Sequence, residues 1–227
     1  MEEHDRIEDA NWPGSLPTLR KQYITFSKAD EEELPARIER LWYINPYGQE
    51  IRLAANPMVL NALNDAQAIV YSIGSLYTSI VPSIVLKGMG QAIDNPVIRY
   101  KILILNSTID RETGPSTNPY TAIDFVAAIA KAGEESKGNS GPVERRTYRN
   151  YVTHLIHLQG PGTPAVDKDE LKSLGIEAIR VYGRKNDGEN FVRYDERGLI
   201  QALEVTMGKG RDPRMPSRRN TLEVPVR

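Results

Sequence analysis

The sequence predicts an α/β fold, an open and mainly parallel sheet of the Rossmann-like kind with helices on both faces. Three observations carry this. Apolar, β-prone runs at residues 68–71, 101–105, 151–158 and 178–182 are each long enough for a buried strand. The segments between them hold helical patterns, and a strand–helix–strand unit is parallel and right-handed in nearly all cases. With 227 residues and 40% apolar content the chain can bury a sizeable core, in what reads as one domain.

In chain order, residues 1–40 read as a poorly ordered acidic extension. Pro13, Gly14, Pro17 and Pro35 interrupt it, and residues 1–39 hold ten acidic against five basic side chains. Residues 41–44 and 50–53 flank Asn45-Pro46-Tyr47-Gly48, a turn sequence that predicts a β-hairpin. Asn56 then caps a helix to about Leu63, with Pro57 in its first position. The first strand, 68–71, breaks at Gly74. Ser75, Thr78 and Ser79 follow, packed around Tyr77, before an apolar run that contains Pro82. Thr78 or Ser79 is the expected helix cap, with Pro82 in the first turn.

Gly88 and Gly90 break that helix, and Asp94-Asn95-Pro96 ends it before the second strand. The loop 106–119 is polar for its length, and a helix from Tyr120 to about Lys131 is expected after it, capped by Asn118 with Pro119 first. Residues 133–144 are rich in Gly, Ser and charge, so a flexible insertion is expected near 134–146. After the third strand come a helix over 167–174, stopped by Gly175, and the fourth strand. A polar insertion at 183–190 and a last helix near 196–203 follow, and residues 207–227 read as a basic disordered tail.

Composition excludes several functions. There is no cysteine, hence no disulfide, zinc finger or thiol nucleophile, which fits a reducing compartment and a cytoplasmic location. The start MEEHDRIEDANW lacks the apolar core of a secretory signal, and no run approaches a membrane span, so no membrane partner is expected. Net charge is −1, and the middle of the chain is balanced, which argues against a nucleic-acid partner. His154 and His157 lie three apart on a strand and point to opposite faces, so no histidine metal site is expected.

In a parallel sheet the Gly74 turn and the 106–121 loop leave from the same carboxyl edge, where open α/β sheets bind ligands. A helix start after Gly74 offers N–H groups to a phosphate. The alternative is a turn built for packing alone, since neither G-x-x-x-x-G-K-[ST] nor G-x-G-x-x-G is met. Asp110-Arg111-Glu112 can supply a cation ligand, an anion contact or a proton-transfer group, or be a solvated turn with an internal ion pair.

The run NPMVLNALNDAQAIVYSIGSLYTSIVP, residues 56–82, resembles a segment of the CofD/YvcK family, which comprises 2-phospho-L-lactate transferase CofD-like and gluconeogenesis factor YvcK-like proteins. The shared GSLYTSI carries the resemblance. Asn106, Glu112, Thr113, Gly114, Tyr120, Thr121 and Ala122 stand in places comparable to that family's second loop, and Arg193 and Asp195 match a late basic–aspartate pair. The similarity covers about residues 41–206, the later half of a family member. Two departures stand out: Ser72-Ile73-Gly74-Ser75 replaces the family's G-P-G-S, and the 106–119 loop is altered.

The resemblance implies a phosphate-bearing ligand, a phosphorylated small molecule or nucleotide sugar, held by Gly74, Ser75, Tyr77, Thr78, Ser79, Asn106, Asp110, Arg111, Glu112 and Thr121. It implies transfer of a phospholactyl group from a nucleotide-activated donor, or a ligand-binding regulator of carbon metabolism without turnover, or a truncated half of a larger family member. Magnesium would be held mainly by residues that this chain lacks, because the family's first glycine-rich βα unit has no counterpart here. A homo-oligomer, or a partner supplying the missing half, is therefore expected, and the isolated chain is expected to lack turnover.

Overall fold

The computed structural model describes residues 33–185 and 191–208 and is built on a four-stranded parallel sheet. Its strands are β3 (Ala68–Tyr71), β4 (Tyr100–Ile104), β5 (His154–His157) and β6 (Glu177–Arg180), side by side in sequence order. Before them, β1 (Tyr43–Ile44) and β2 (Glu50–Ile51) form the expected antiparallel hairpin around Asn45-Pro46. Helix α1 (Pro57–Asn64) starts as the sequence dictates: the Asn56 side chain accepts from the Met58 N–H at 2.9 Å, and Pro57 fills the first turn.

After β3 the chain winds through a wide π-type turn, Leu76–Ile80, into α2 (Val81–Ile84). Ser75 stands at the cap position rather than Thr78 or Ser79, and it makes no side-chain cap bond. Gly88, with φ +98°, breaks the path before α3 (Met89–Asp94). Helix α4 (Ala122–Lys137) begins two residues later than Asn118-Pro119 suggests. The Tyr120 N–H is already bonded to the Thr113 carbonyl at 2.8 Å, and Thr121 and Asp124 form a capping box.

The same helix runs past the expected stop near Lys131 to Lys137, taking in the first residues of the segment read as an insertion. The reason is packing: Ala132, Gly133 and Ser136 are buried where α4 crosses α3 and the Tyr151 ring. Helices α5 (Lys168–Ser173) and α6 (Glu196–Thr206) are capped by Asp167 and Asp195. The short strands β7 (Gly183–Arg184) and β8 (Arg193–Tyr194) pair as a second hairpin ahead of α6. The acidic residues 1–32, residues 186–190 of the second insertion and residues 209–227 of the basic tail lie outside the described residues.

Strand order explains the layering. Successive right-handed crossovers in one direction put α2 to α5 on one face, where Tyr71, Leu103, Leu105 and Leu155 pack with Phe125, Val126 and Ile129. On the other face α6 covers Ile102, Ile104 and Ile156 through Leu199, Ala202 and Leu203, with Tyr194 of β8 packed beside it. Residues 33–41 lie across α4 as an extended strap. Ile38 and Leu41 pack against the core, and the Arg37 guanidinium donates to the carbonyls of Asn118 and Pro119 and pairs with Asp124 at 3.1 Å.

Candidate functional site

The parallel register carries the chain out of β3 and β4 on one edge, so the Ser72–Ser79 turn and the loop that starts at Asn106 stand together. They are joined directly. The Gly74 N–H donates to the Asn106 Oδ1 at 3.4 Å, and the Asn106 amide donates to Asp110 Oδ2 at 3.4 Å. Asp110 Oδ1 accepts from the N–H groups of Glu112 and Thr113 and from the Thr113 hydroxyl, at 2.7 to 3.1 Å, which coils Arg111–Thr113 into a single 3-10 turn.

That turn aims Glu112 at the first loop. Its Oε2 accepts from the Tyr77 N–H at 2.8 Å and the Thr78 N–H at 3.2 Å, so a carboxylate from 35 residues away caps the start of the wide turn. Of the N–H groups from Thr78 to Val81 expected to face a phosphate, that of Thr78 is therefore already bound to an internal anion. Of the hydroxyls nearby, those of Ser75, Thr78 and Ser79 make no hydrogen bond to another described residue, and Thr78 and Ser79 are exposed. The Arg111 guanidinium is likewise exposed and unpaired among the described residues.

Two of the expected residues are used elsewhere. The Tyr77 side chain turns into the core, where its hydroxyl meets the Tyr120 hydroxyl at 3.0 Å and the Ile38 carbonyl at 3.0 Å, so only its backbone belongs to the edge. Thr121 serves the capping box of α4. Gly74, Ser75, Thr78, Ser79, Asn106, Asp110, Arg111 and Glu112 are brought to one edge. A further loop joins them: the Ile109 N–H donates to the Gly162 carbonyl at 3.0 Å, which ties the loop after β4 to the loop after β5.

Asp110 Oδ1 and Glu112 Oε2 already accept from backbone N–H groups, and no cluster of three metal-ligating side chains exists among the described residues, so these two side chains by themselves do not make a magnesium site.

Sequence reasoning missed a second concavity, on the helical face. Its volume is about 470 Å³, and it is lined by Arg37, Tyr77, Tyr120, Asp124, Lys131 and Tyr148 among others. Its polar groups close on one another: Lys131 donates to the Glu39 carbonyl, Arg37 pairs with Asp124, and both Tyr77 and Tyr120 donate to the Ile38 carbonyl. This makes it the seat of the strap.

An open parallel sheet with its polar loops gathered on the carboxyl edge defines a Rossmann-like α/β protein. A family model described as 2-phospho-L-lactate transferase CofD matches residues 19–182, and the chain belongs to that family. The match begins earlier and ends earlier than the expected span of 41–206. The chain is 33% identical over 184 residues to Uncharacterized protein YNL011C of Saccharomyces cerevisiae, covering 79% of this chain and 41% of that protein. It is 25% identical over 170 residues to the Gluconeogenesis factor of Bacillus subtilis, covering 70% of this chain and 51% of that one. The crystal structure of protein BH3568 from Bacillus halodurans shares the fold, with a TM-score of 0.51 at 22% identity over 66% of this chain and 47% of that one. The chain thus spans about half or less of the length of these relatives. No described helix is long and apolar enough to cross a membrane.

Proposed function

We propose that the chain binds a phosphate-bearing ligand, a nucleotide or nucleotide sugar, at the carboxyl edge of the sheet, as a 2-phospho-L-lactate transferase-like protein. One observation supports this best: the division of polar groups at that edge into spent and unspent. Asn106, Asp110 and Glu112 are consumed in fastening the two loops. Arg111 and the hydroxyls of Ser75, Thr78 and Ser79 are left with no partner among the described residues, and they are the cation and neutral donors that a phosphate needs. Titration calorimetry with a nucleoside diphosphate sugar tests it. Thr78→Ala and Arg111→Ala should each weaken binding by about 1 to 3 kcal/mol, the range for a lost hydrogen bond to a charged group. Unchanged affinity in both variants would remove the ligand from this edge.

A second reading, a ligand-binding regulator without turnover, is favoured by the same commitment of Asp110 and Glu112. Phosphoryl or phospholactyl transfer needs charge neutralised on both sides of the reacting phosphate, usually by a carboxylate-held metal and a second set of donors. Here the two carboxylates of the edge hold backbone. An assay of the 227-residue chain with a nucleotide-activated phospholactate donor, a deazaflavin acceptor and magnesium separates the two readings. No turnover with ligand binding intact is expected, and robust turnover would make the chain a transferase by itself.

A further inference from the structure

Residues 33–41 reach the candidate site from behind. Glu33 Oε2 accepts from the Ser116 N–H at 3.1 Å and from its hydroxyl at 3.0 Å, and the Arg37 guanidinium donates to the carbonyls of Asn118 and Pro119 at 2.9 and 2.7 Å. Ser116, Asn118 and Pro119 close the loop that starts at Asn106. The Ile38 carbonyl accepts from the Tyr77 hydroxyl at 3.0 Å, and Tyr77 belongs to the wide turn after β3. One short segment therefore holds both loops of the site.

Tyr77 is held at both ends, its N–H by Glu112 and its phenol by the strap. The Tyr77 and Tyr120 hydroxyls lie 3.0 Å apart, each carries a single proton, and the Ile38 carbonyl is within reach of both, at 3.0 and 2.7 Å. Without that carbonyl the two hydroxyls share one bond between them, and one proton is left without this acceptor in a buried setting. The Arg37 guanidinium also lies over the Tyr120 ring, 4.7 Å from its centroid, and Tyr120 meets Tyr77 edge-on with centroids 6.3 Å apart. A contiguous path thus runs from Arg37 through Tyr120 and Tyr77 to the backbone that carries Thr78 and Ser79.

The strap is separable from the sheet. Among the described residues no backbone–backbone hydrogen bond ties 33–41 to the rest of the domain, and its polar ties run through the side chains of Glu33, Arg37, Arg40, Tyr77, Tyr120 and Lys131. An element held in this way opens at a lower free energy than the core strands. We infer that residues 33–40 are a positioning strap for the candidate site. Seated, they hold the wide turn in the form that presents the hydroxyls of Ser75, Thr78 and Ser79; lifted, they release it. The effect on the turn stands on this geometry, and the effect on binding rests on the ligand reading proposed above.

Two variants of the full chain test this. Arg37→Ala removes polar ties of the strap to Asn118, Pro119 and Asp124 without touching Thr78 or Glu112. Tyr77→Phe cuts the link between turn and strap while keeping the ring and the N–H bond to Glu112. Amide exchange without ligand is read at residues 77 and 78 against Leu103 and Leu155 in the central strands. Exchange at 77 and 78 should speed up about tenfold in both variants, the scale of one lost hydrogen bond, with Leu103 and Leu155 unchanged. Affinity for a nucleoside diphosphate sugar should fall by about the same factor, within the usual range of coupling between two sites. Unaltered exchange at 77 and 78 in both variants would overturn the inference. So would an acceleration shared equally with Leu103 and Leu155, the mark of a strap that only adds stability. Loosened amides with undiminished affinity would overturn its role in binding. A parent chain that binds no nucleotide sugar while the amides still loosen would remove the ligand reading and leave the hold of the strap on the turn established.

Discussion

Glu112 and Tyr77 are joined by a 2.8 Å hydrogen bond from the Tyr77 N–H to the Glu112 carboxylate, and through it the loop after β4 caps the turn after β3. The wide turn at Leu76–Ile80 has no cap of its own, since the Ser75 side chain makes no cap bond. The two loops of the candidate site therefore hold their shape by holding each other. The carboxylate takes the place at the start of the turn that an anion would otherwise fill, and under the proposed function the hydroxyls and Arg111 remain for the ligand.

Removing that carboxylate should loosen both loops. Glu112→Ala deprives two backbone N–H groups of a charged acceptor, a loss of about 1.5 to 3 kcal/mol per typical charge-assisted bond, reduced because the group is only half-buried. We expect a stability loss near the low end of that range by urea unfolding, with faster amide exchange at Tyr77 and Thr78. Glu112→Gln, which keeps an acceptor oxygen, should recover most of the protection. Exchange at both amides unchanged in Glu112→Ala would show that the cap is dispensable.

A second prediction concerns the crossing of α3 and α4. A Cβ on Gly133 would run into the Tyr151 ring, and one on Gly90 into the Gly133 carbonyl oxygen. The approach is close enough for the Gly90 N–H to donate to the Ser136 hydroxyl at 2.6 Å. Gly133→Ala must displace a fully buried tyrosine whose hydroxyl is anchored on Glu134 at 2.6 Å. Overpacking of a rigid contact costs about 1 to 3 kcal/mol or more, against the roughly 0.8 to 1 kcal/mol that alanine gains over glycine in an ordinary helix interior. Thermal unfolding should show a lower midpoint, and an unchanged or raised one would mean that the crossing is loose.

These residues also show what was legible beforehand. The four strands stood out because β-branched runs such as Lys101-Ile102-Leu103-Ile104 are local signals, as are the Asn56-Pro57 helix start and the Asn45-Pro46 hairpin. That Gly74, Thr78, Asn106 and Glu112 share an edge followed from parallel topology. The role of Glu112 did not, because a cap donated across 35 residues leaves no pattern in either segment. Gly133 opens a stretch that reads as a flexible insertion because it is rich in Gly, Ser and charge. Here the partner that requires it, Tyr151, is 18 positions away, which a local pattern cannot show. Residues up to 40 read as a poorly ordered extension because the contacts of Arg37 with Asp124 and of Ile38 with Tyr77 and Tyr120 are made to distant elements, which no local pattern shows.

The last prediction rests on His157, at the end of the central strand β5. The side chain is 3% exposed, and its Nδ1 lies 2.9 Å from the Leu158 carbonyl oxygen, so Nδ1 carries the proton and donates. Nε2 is buried with no hydrogen-bond partner. Burial pushes the imidazole below its ordinary range, the Leu158 carbonyl opposes that, and the positive charges of Lys168 and Arg180 push it further down. Protonation would place an unpaired N–H and a positive charge in that setting. Because the folded value lies below the unfolded one of about 6.5, the unfolded chain takes up the proton first. The stability due to neutral His157 is thus complete above about pH 6.5 and is lost as the pH falls through the folded value. His157→Phe cannot titrate, and it keeps an aromatic ring in the site at the cost of the Leu158 bond. Urea unfolding of both proteins at about pH 7.5 and pH 5.5 isolates the effect, since His154 and the carboxylates are common to both. The parent should lose more stability than the variant between the two conditions, and equal losses would show that His157 does not couple proton uptake to unfolding.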